Sequence, residues 1–185
     1  MQKVLLALFI TIATHVGSIA ASESDSAMTQ AIKAVDANVI FMRHAIAPGY
    51  GDPNHFLVSD CKTQRNLNDV GRAQAIKIGQ TILETGYPFT DILSSQWCRC
   101  KDTAALLNLG YWRTFEGLNS FFEGHVDKQT SLALLNKKLA SIDDGLVLMV
   151  THQVVISAVT NYFVGSGEFV AYNSKTLKAK AFALE

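Results

Sequence analysis

Three short stretches of the chain place arginine and histidine where they could work on an oxyanion. Arg43 and His44 close the apolar run NVIFM, Arg99 stands in WCRCKDTA shortly after Ser94 and Ser95, and His152 closes GLVLMVT. A guanidinium is planar, pairs two oxygens at once and stays charged at any working pH. An imidazole whose one N–H is held by a backbone carbonyl keeps a lone pair on its other nitrogen and can attack an electrophile. Together these groups suit phosphoryl transfer, in which the arginines hold the negative charge while an in-line nucleophile approaches phosphorus. Singly, each piece is commonplace: Arg-His pairs arise by chance, a lone histidine is more often structural, and an arginine early in a helix is usually a solvated cap. Their order, and their position at the ends of apolar runs, carries the weight.

The elements that must position them follow from the hydrophobic pattern. NVIFM reads as a buried strand delivering Arg43 and His44, TDILSS as a second and GLVLMVT as a third. Met28, Ala31, Ile32 and Val35 recur at helical spacing ahead of the first strand. A long loop rich in Gly, Pro, Asp and Asn runs from Ala45 to Leu67, of the kind found beside active sites. A helix is expected from Asp69 with Asn68 as its N-cap and Ala75, Ile78, Gly79 and Ile82 on one face. WCRCKDTAALLNL reads as the next helix, Leu132, Leu135, Leu139 and Ile142 mark another, and a last helical stretch runs from Val154 to about Phe163. GEFVAY and LKAKAFAL are expected as edge strands. Strands alternating with helices predict an α/β fold, a three-layer α/β/α sandwich on a mostly parallel central sheet. Ligands bind beyond the carboxyl ends of such strands, so Arg43, His44, Ser94, Ser95 and His152 converge there.

The 185 residues, 49% of them apolar, suffice for one domain with a real core. Lys plus Arg and Asp plus Glu are equal at 16 each, so no overall charge draws the chain to nucleic acid. MQKVLLALFITIATHVGSIAASES has the layout of a cleavable signal peptide, assigned to 1–21 and leaving 22–185 as the domain; an uncleaved anchor is the alternative. The apolar run is short for a membrane span, and no stable span is expected in the mature chain. Export places Cys61, Cys98 and Cys100 where a disulfide can persist. Cys61 would pair with Cys98 or Cys100, Cys98 being favoured, and a zinc site is the competing reading although C-x-C lacks the usual ligand spacing.

Four segments, in order, resemble the histidine phosphatase superfamily, which includes phosphoglycerate mutases and acid phosphatases. FMRHA is similar to its R-H-G signature, with Ala45 in place of glycine. RNLNDVGRAQA fits R-x-L-x-x-x-G-x-x-Q-A through Arg65, Leu67, Gly71, Gln74 and Ala75. SSQWCRCKDTA fits S-S-x-x-x-R-x-x-x-T-A through Ser94, Ser95, Arg99, Thr103 and Ala104, and LVLMVTHQ matches the strand that delivers the second histidine. The resemblance implies a phosphoglycerate mutase-like fold and a phosphatase with His44 as nucleophile. Arg43, Arg99 and His152 would be the phosphate-binding groups that share in catalysis. It implies no cofactor, and no metal either, because arginines and histidines already bring the positive charge a metal would supply. Arg65 and Gln74 read as structural, Arg65 as an ion-pair or loop-fixing residue.

The pattern breaks at the proton donor. The family commonly carries a glutamate in L-x-E, whereas Leu118-Asn119-Ser120 puts serine there. Glu123, Glu116 and Asp52 are the carboxylates close enough in sequence to substitute. Because general acid help matters most for alkoxide leaving groups, the gap tilts the substrate toward better leaving groups. The expected function is hydrolysis of a phosphate monoester or anhydride in the bacterial periplasm or cell envelope, or by a secreted protein. The substrate would be a phosphorylated small molecule or envelope lipid. The alternatives are a catalytically weak phosphate-binding module and a phosphohistidine protein phosphatase; a mutase is disfavoured by the shortness of the chain. Oligomeric state is not legible.

Overall fold

The computed structural model describes residues 26–184, and the signal-peptide expectation for 1–21 lies outside them. Six strands form one sheet in the order β3-β2-β4-β1-β5-β6: β1 (Val39–Arg43), β2 (Asp91–Ser94), β3 (Arg113–Thr114), β4 (Val147–Thr151), β5 (Phe169–Tyr172) and β6 (Ala179–Phe182). The first four in chain order run parallel, while β5 and β6 extend the sheet antiparallel beyond β1. The helices are α1 (Ala27–Val35), α2 (Asp69–Glu84), α3 (Cys98–Leu107), α4 (Lys128–Ala140) and α5 (Gln153–Thr160).

The sheet is covered on both faces because the apolar residues of its central strands, Val39 to Met42 of β1 and Val147 to Val150 of β4, are buried on both sides. Val39 and Phe41 of β1 point to one side with Val147, Met149 and Val170, where Leu135 and Leu139 of α4 and Val155 and Ile156 of α5 pack on them. Ile40 and Met42 point to the other with Leu148, Val150 and Phe169, under Met28 of α1, Ile78 and Ile82 of α2, and Ala104 and Leu107 of α3. Alternation of side chains along each strand thus builds two cores and three layers.

Local chemistry sets the helix boundaries that matter for the site. The Asn68 side chain caps α2 by accepting from the Gly71 N–H at 2.9 Å. A Cβ on Gly71 would run into the carbonyl of Ile46, and one on Gly79 into that of Leu107. The two glycines let α2 lie against the loop after β1 on one side and against the end of α3 on the other. Two expectations are corrected. GEFVAY is not an edge strand: β5 is buried at all four positions and lies between β1 and β6. The last helix stops at Thr160, where Asn161 takes the left-handed conformation (φ 61°). The two-residue edge strand β3 has no apolar run of its own and owes its existence to pairing with β2.

Candidate active site

His44 and His152 follow neighbouring strands in register, since Arg43 of β1 lies opposite Thr151 of β4. Ser94 of β2 lies opposite Val150 on the other flank of β4, which brings Ser95 beside His152. All three strands end at the same edge of the sheet. There a cavity of about 240 Å³ opens, lined by Arg43, His44, Arg65, Arg99 and His152 together with neutral residues.

His44 is 2% exposed, and its Nδ1 lies 2.8 Å from the Ala45 carbonyl. With that nitrogen donating its proton, Nε2 carries the lone pair. Burial first, then the charge of Arg99, pushes the imidazole pKa down to about 3, so the ring is neutral over the ordinary pH range. The backbone N–H of Ala45 is itself held by the Thr103 hydroxyl at 3.1 Å, and Thr103 donates back to the Arg99 carbonyl. Gln74 accepts from the Ile46 N–H and donates to the Ser166 carbonyl, tying the loop after β1 to the segment that leads into β5. The threonine and glutamine of the sequence motifs therefore fix the turn that follows His44.

His152 makes its shortest hydrogen bond through Nε2, 2.9 Å from the Ser95 hydroxyl, which donates to the side-chain Oδ1 of Asn119 at 3.2 Å. That direction assigns the proton to Nε2 and leaves Nδ1 facing Arg99, 3.5 Å from a terminal guanidinium nitrogen. Burial, followed by repulsion from Arg99, holds His152 well below the ordinary histidine range. Cys100 lies 3.5 Å from the same Nε2, and burial raises its thiol to about 12, so it stays protonated.

Arg99 is bound by an acid from the long loop. Its terminal nitrogens donate to both carboxylate oxygens of Asp52 at 2.8 and 3.1 Å, and both side chains are 4% exposed. Asp52 also accepts from the Arg65 N–H and from the Trp97 indole, each at 3.0 Å. Burial alone would raise the Asp52 carboxyl, but hydrogen bonds from Arg99, Arg65 and Trp97 and the charge of Arg99 outweigh it, and its pKa is lowered. The expectation of Asp52 as a proton donor meets an ionised, fully engaged carboxylate. Arg65 holds the loop through the carbonyls of Ala47 and Gly51, as expected, yet it also lines the cavity. Arg43 donates to the Val164 carbonyl at 2.9 Å. The Nε atoms of Arg43 and Arg99 are buried and have no hydrogen-bond partner.

The other expected residues distribute unevenly. Ser120 lines the cavity where a glutamate was sought, and no carboxylate is among the cavity-lining residues. Glu116 is exposed and away from the cavity. Glu123 reaches the rim, where it accepts from the Asp52 N–H at 3.2 Å. Ser94 turns its hydroxyl to the Ser95 carbonyl and does not line the cavity. Cys61 and Cys98 form a disulfide with Cα atoms 5.7 Å apart, and Cys100 is free. Sequence reasoning missed the Asp52–Arg99 pair, the second role of Arg65, and Tyr50, Phe122 and Gln153 in the wall. The aromatic between two glycines in GYG was the one signal that could have pointed to Tyr50. Among the described residues no cluster of acidic, histidine and cysteine side chains could hold a metal ion, and no helix is long and apolar enough to cross a membrane.

The fold is that of the histidine phosphatases, the phosphoglycerate mutase-like architecture. The protein histidine phosphatase SixA complexed with tungstate superposes with a TM-score of 0.51 at 16% identity, over 78% of this chain and 93% of that one. A mycobacterial glucosyl-3-phosphoglycerate phosphatase does so with a TM-score of 0.51 at 13% identity, over 80% and 97%. A structure described as mycobacterial hydrolase 1 reaches 0.55 at 13% identity, over 78% and 96%. No family model matches the sequence, and a search of curated proteins finds no relative.

Proposed function

We infer, from a chain with the histidine phosphatase fold and from the groups at its strand ends, that it hydrolyses phosphate compounds through a phosphohistidine on His44. The observation that carries this reading is the state of His44 itself: buried, neutral, and held through Nδ1 so that Nε2 presents its lone pair beside Arg43, Arg65 and Arg99. Arg43, Arg65 and Arg99 line the cavity, and their guanidinium charge is what would hold the oxygens of a bound phosphoryl group. Nε2 attacks phosphorus in line and the leaving group departs; water then attacks the phosphohistidine and releases phosphate. His152 stays neutral beside the bound group, its Nε2 on the Ser95 hydroxyl and its Nδ1 next to the Arg99 guanidinium, and so helps orient Arg99 toward the phosphoryl oxygens.

Three expected proton donors are not equal in this reading. Asp52 serves Arg99, Glu116 stands away from the cavity, and Glu123 at the rim is the remaining carboxylate. With no acid in the wall, turnover favours leaving groups that need little protonation. We place the protein outside the cytoplasm; the Cys61–Cys98 bond, which survives in oxidising compartments, supports that placement.

The test is chemical trapping. Rapid quenching with a labelled aryl phosphate is expected to give label that is stable to alkali and labile to acid, located on His44 and missing in His44→Ala. Label on a serine, or none in the wild type, removes the covalent mechanism.

A further inference from the structure

Beyond the phosphoryl-binding pole, the cavity has a second half made of neutral groups. Tyr50, Phe122 and Val154 give it apolar surface, and Ser120 and Gln153 are its polar side chains. Tyr50 and Phe122 come from segments far apart in sequence and meet edge to face, with ring centroids 5.2 Å apart and planes at 89°. Tyr50 is 84% exposed. An aromatic so exposed gains little for folding, yet its backbone is held on a fixed tip. Gly49 and Gly51 on either side take positive φ (96° and 63°), a conformation that favours glycine and turns the intervening side chain outward. Arg65 Nε donates to the Gly51 carbonyl at 2.9 Å, and Glu123 accepts from the next N–H, that of Asp52, at 3.2 Å. Glu123 lies so close over Gly51 that a Cβ there would overlap its carboxylate. The ring of Tyr50 thus faces solvent from a fixed tip at the mouth of the cavity.

The charges in the wall point the same way. Arg43, Arg65 and Arg99 line the cavity, but the charge of Arg99 is matched by Asp52 at 2.8 Å, and no lysine stands in the wall. What remains matches one phosphoryl group, which carries close to two negative charges near neutral pH. A second anionic group on the substrate would meet aromatic rings, a serine and an amide, with no cation to offset its desolvation.

We propose that the substrate of this site carries its single phosphoryl group on a flat, uncharged moiety that packs against the Tyr50–Phe122 wall. Compounds with a second phosphate, including phosphoanhydrides of the pyrophosphate type, are excluded from productive binding. The proposal rests on the phosphatase reading for its chemistry, but the wall can be tested by binding alone.

Calorimetric titration of the intact protein with methylphosphonate, benzylphosphonate and methylenebisphosphonate separates the terms without turnover. Benzylphosphonate is expected to bind about tenfold more tightly than methylphosphonate, the scale a small apolar pocket supplies. Tyr50→Ala is expected to narrow that ratio severalfold, and Tyr50→Phe, which keeps the flat face, to restore it. The bisphosphonate is expected to bind no better than methylphosphonate. Equal affinity for the benzyl and methyl compounds, an unchanged ratio in Tyr50→Ala, or tighter binding of the bisphosphonate overturns the proposal. Failure of the phosphatase reading looks different: the benzyl preference persists while no ester is hydrolysed and no label reaches His44.

Discussion

Asp52 grips Arg99 through both terminal nitrogens, so a carboxylate already engages one of the three guanidiniums that line the cavity. The pair orders the guanidinium and at the same time lowers the positive potential that an incoming dianion meets. These two effects have opposite signs for stability and for anion affinity. Asp52→Asn leaves a buried guanidinium without its counter-charge and is expected to destabilise the protein by about 3–5 kcal/mol, the scale measured when one partner of a buried pair is removed. Inorganic phosphate then supplies the missing negative charge, so its addition is expected to raise the Tm of Asp52→Asn more than that of the wild type. Thermal melts with and without phosphate check both halves, and an equal or smaller increment in the variant rejects the account. This pair could not be read from the sequence. Asp52 and Arg99 are 47 positions apart, and what joins them is the path of a loop with no periodic pattern to betray it. His44 and His152 were legible for the opposite reason, since each ends a continuous apolar run whose burial dictates a strand and whose end dictates the site.

At the scale of elements, the long loop over 45–67 carries Tyr50, Asp52 and Arg65 to the site. Several ties hold it: Phe56 stacks on Trp97 with centroids 4.9 Å apart, Gln64 accepts from the Cys98 N–H at 2.9 Å, and the Cys61–Cys98 disulfide closes 37 residues of chain onto the start of α3. A loop of that length constrains the unfolded chain by about 3–4 kcal/mol in the chain-entropy view. Reduction, or Cys61→Ser with Cys98→Ser, is expected to lower stability on that scale. It is also expected to raise KM more than it lowers kcat, because the groups on the loop hold substrate while His44 and His152 stay fixed just past the ends of β1 and β4. Steady-state kinetics of oxidised and reduced protein decide it; a fall in kcat at constant KM contradicts the division of labour. Which cysteine pairs with Cys61 was open in the sequence because Cys98 and Cys100 are two residues apart. The helix resolves it: Cys98 is at the start of α3 facing the loop, whereas Cys100 is buried against the Thr151 carbonyl and His152. The elements without their own pattern, β3 and the inward placement of β5, were set by sheet pairing and so escaped a local reading.

For the whole molecule, the site has a consequence for stability that extends over several pH units. Two buried histidines are held neutral, His44 down to about 3 and His152 well below 6.5, first by burial and then by the arginines around them. In the unfolded chain both return to the ordinary value near 6.5. Above that pH neither form is protonated in either state, and the histidines do not tilt the folding equilibrium. Below it the unfolded chain binds protons that the folded chain refuses, so stability falls as pH drops from about 6.5 toward about 3, by up to about 1.4 kcal/mol per pH unit for each histidine. Asp52 adds a loss of the same sign, but only below the ordinary carboxylate value of 3.8, so the range between about pH 6 and about pH 4.5 isolates the imidazoles. Urea unfolding of the oxidised protein across that range is expected to show a steep decline in the wild type. His44→Asn, which cannot titrate, is expected to show a shallower one, with the difference vanishing above about pH 7. Parallel slopes for the two proteins would mean that His44 gains a proton in the folded state as readily as in the unfolded one. The lone pair assigned to its Nε2 at acid pH would then be lost with it.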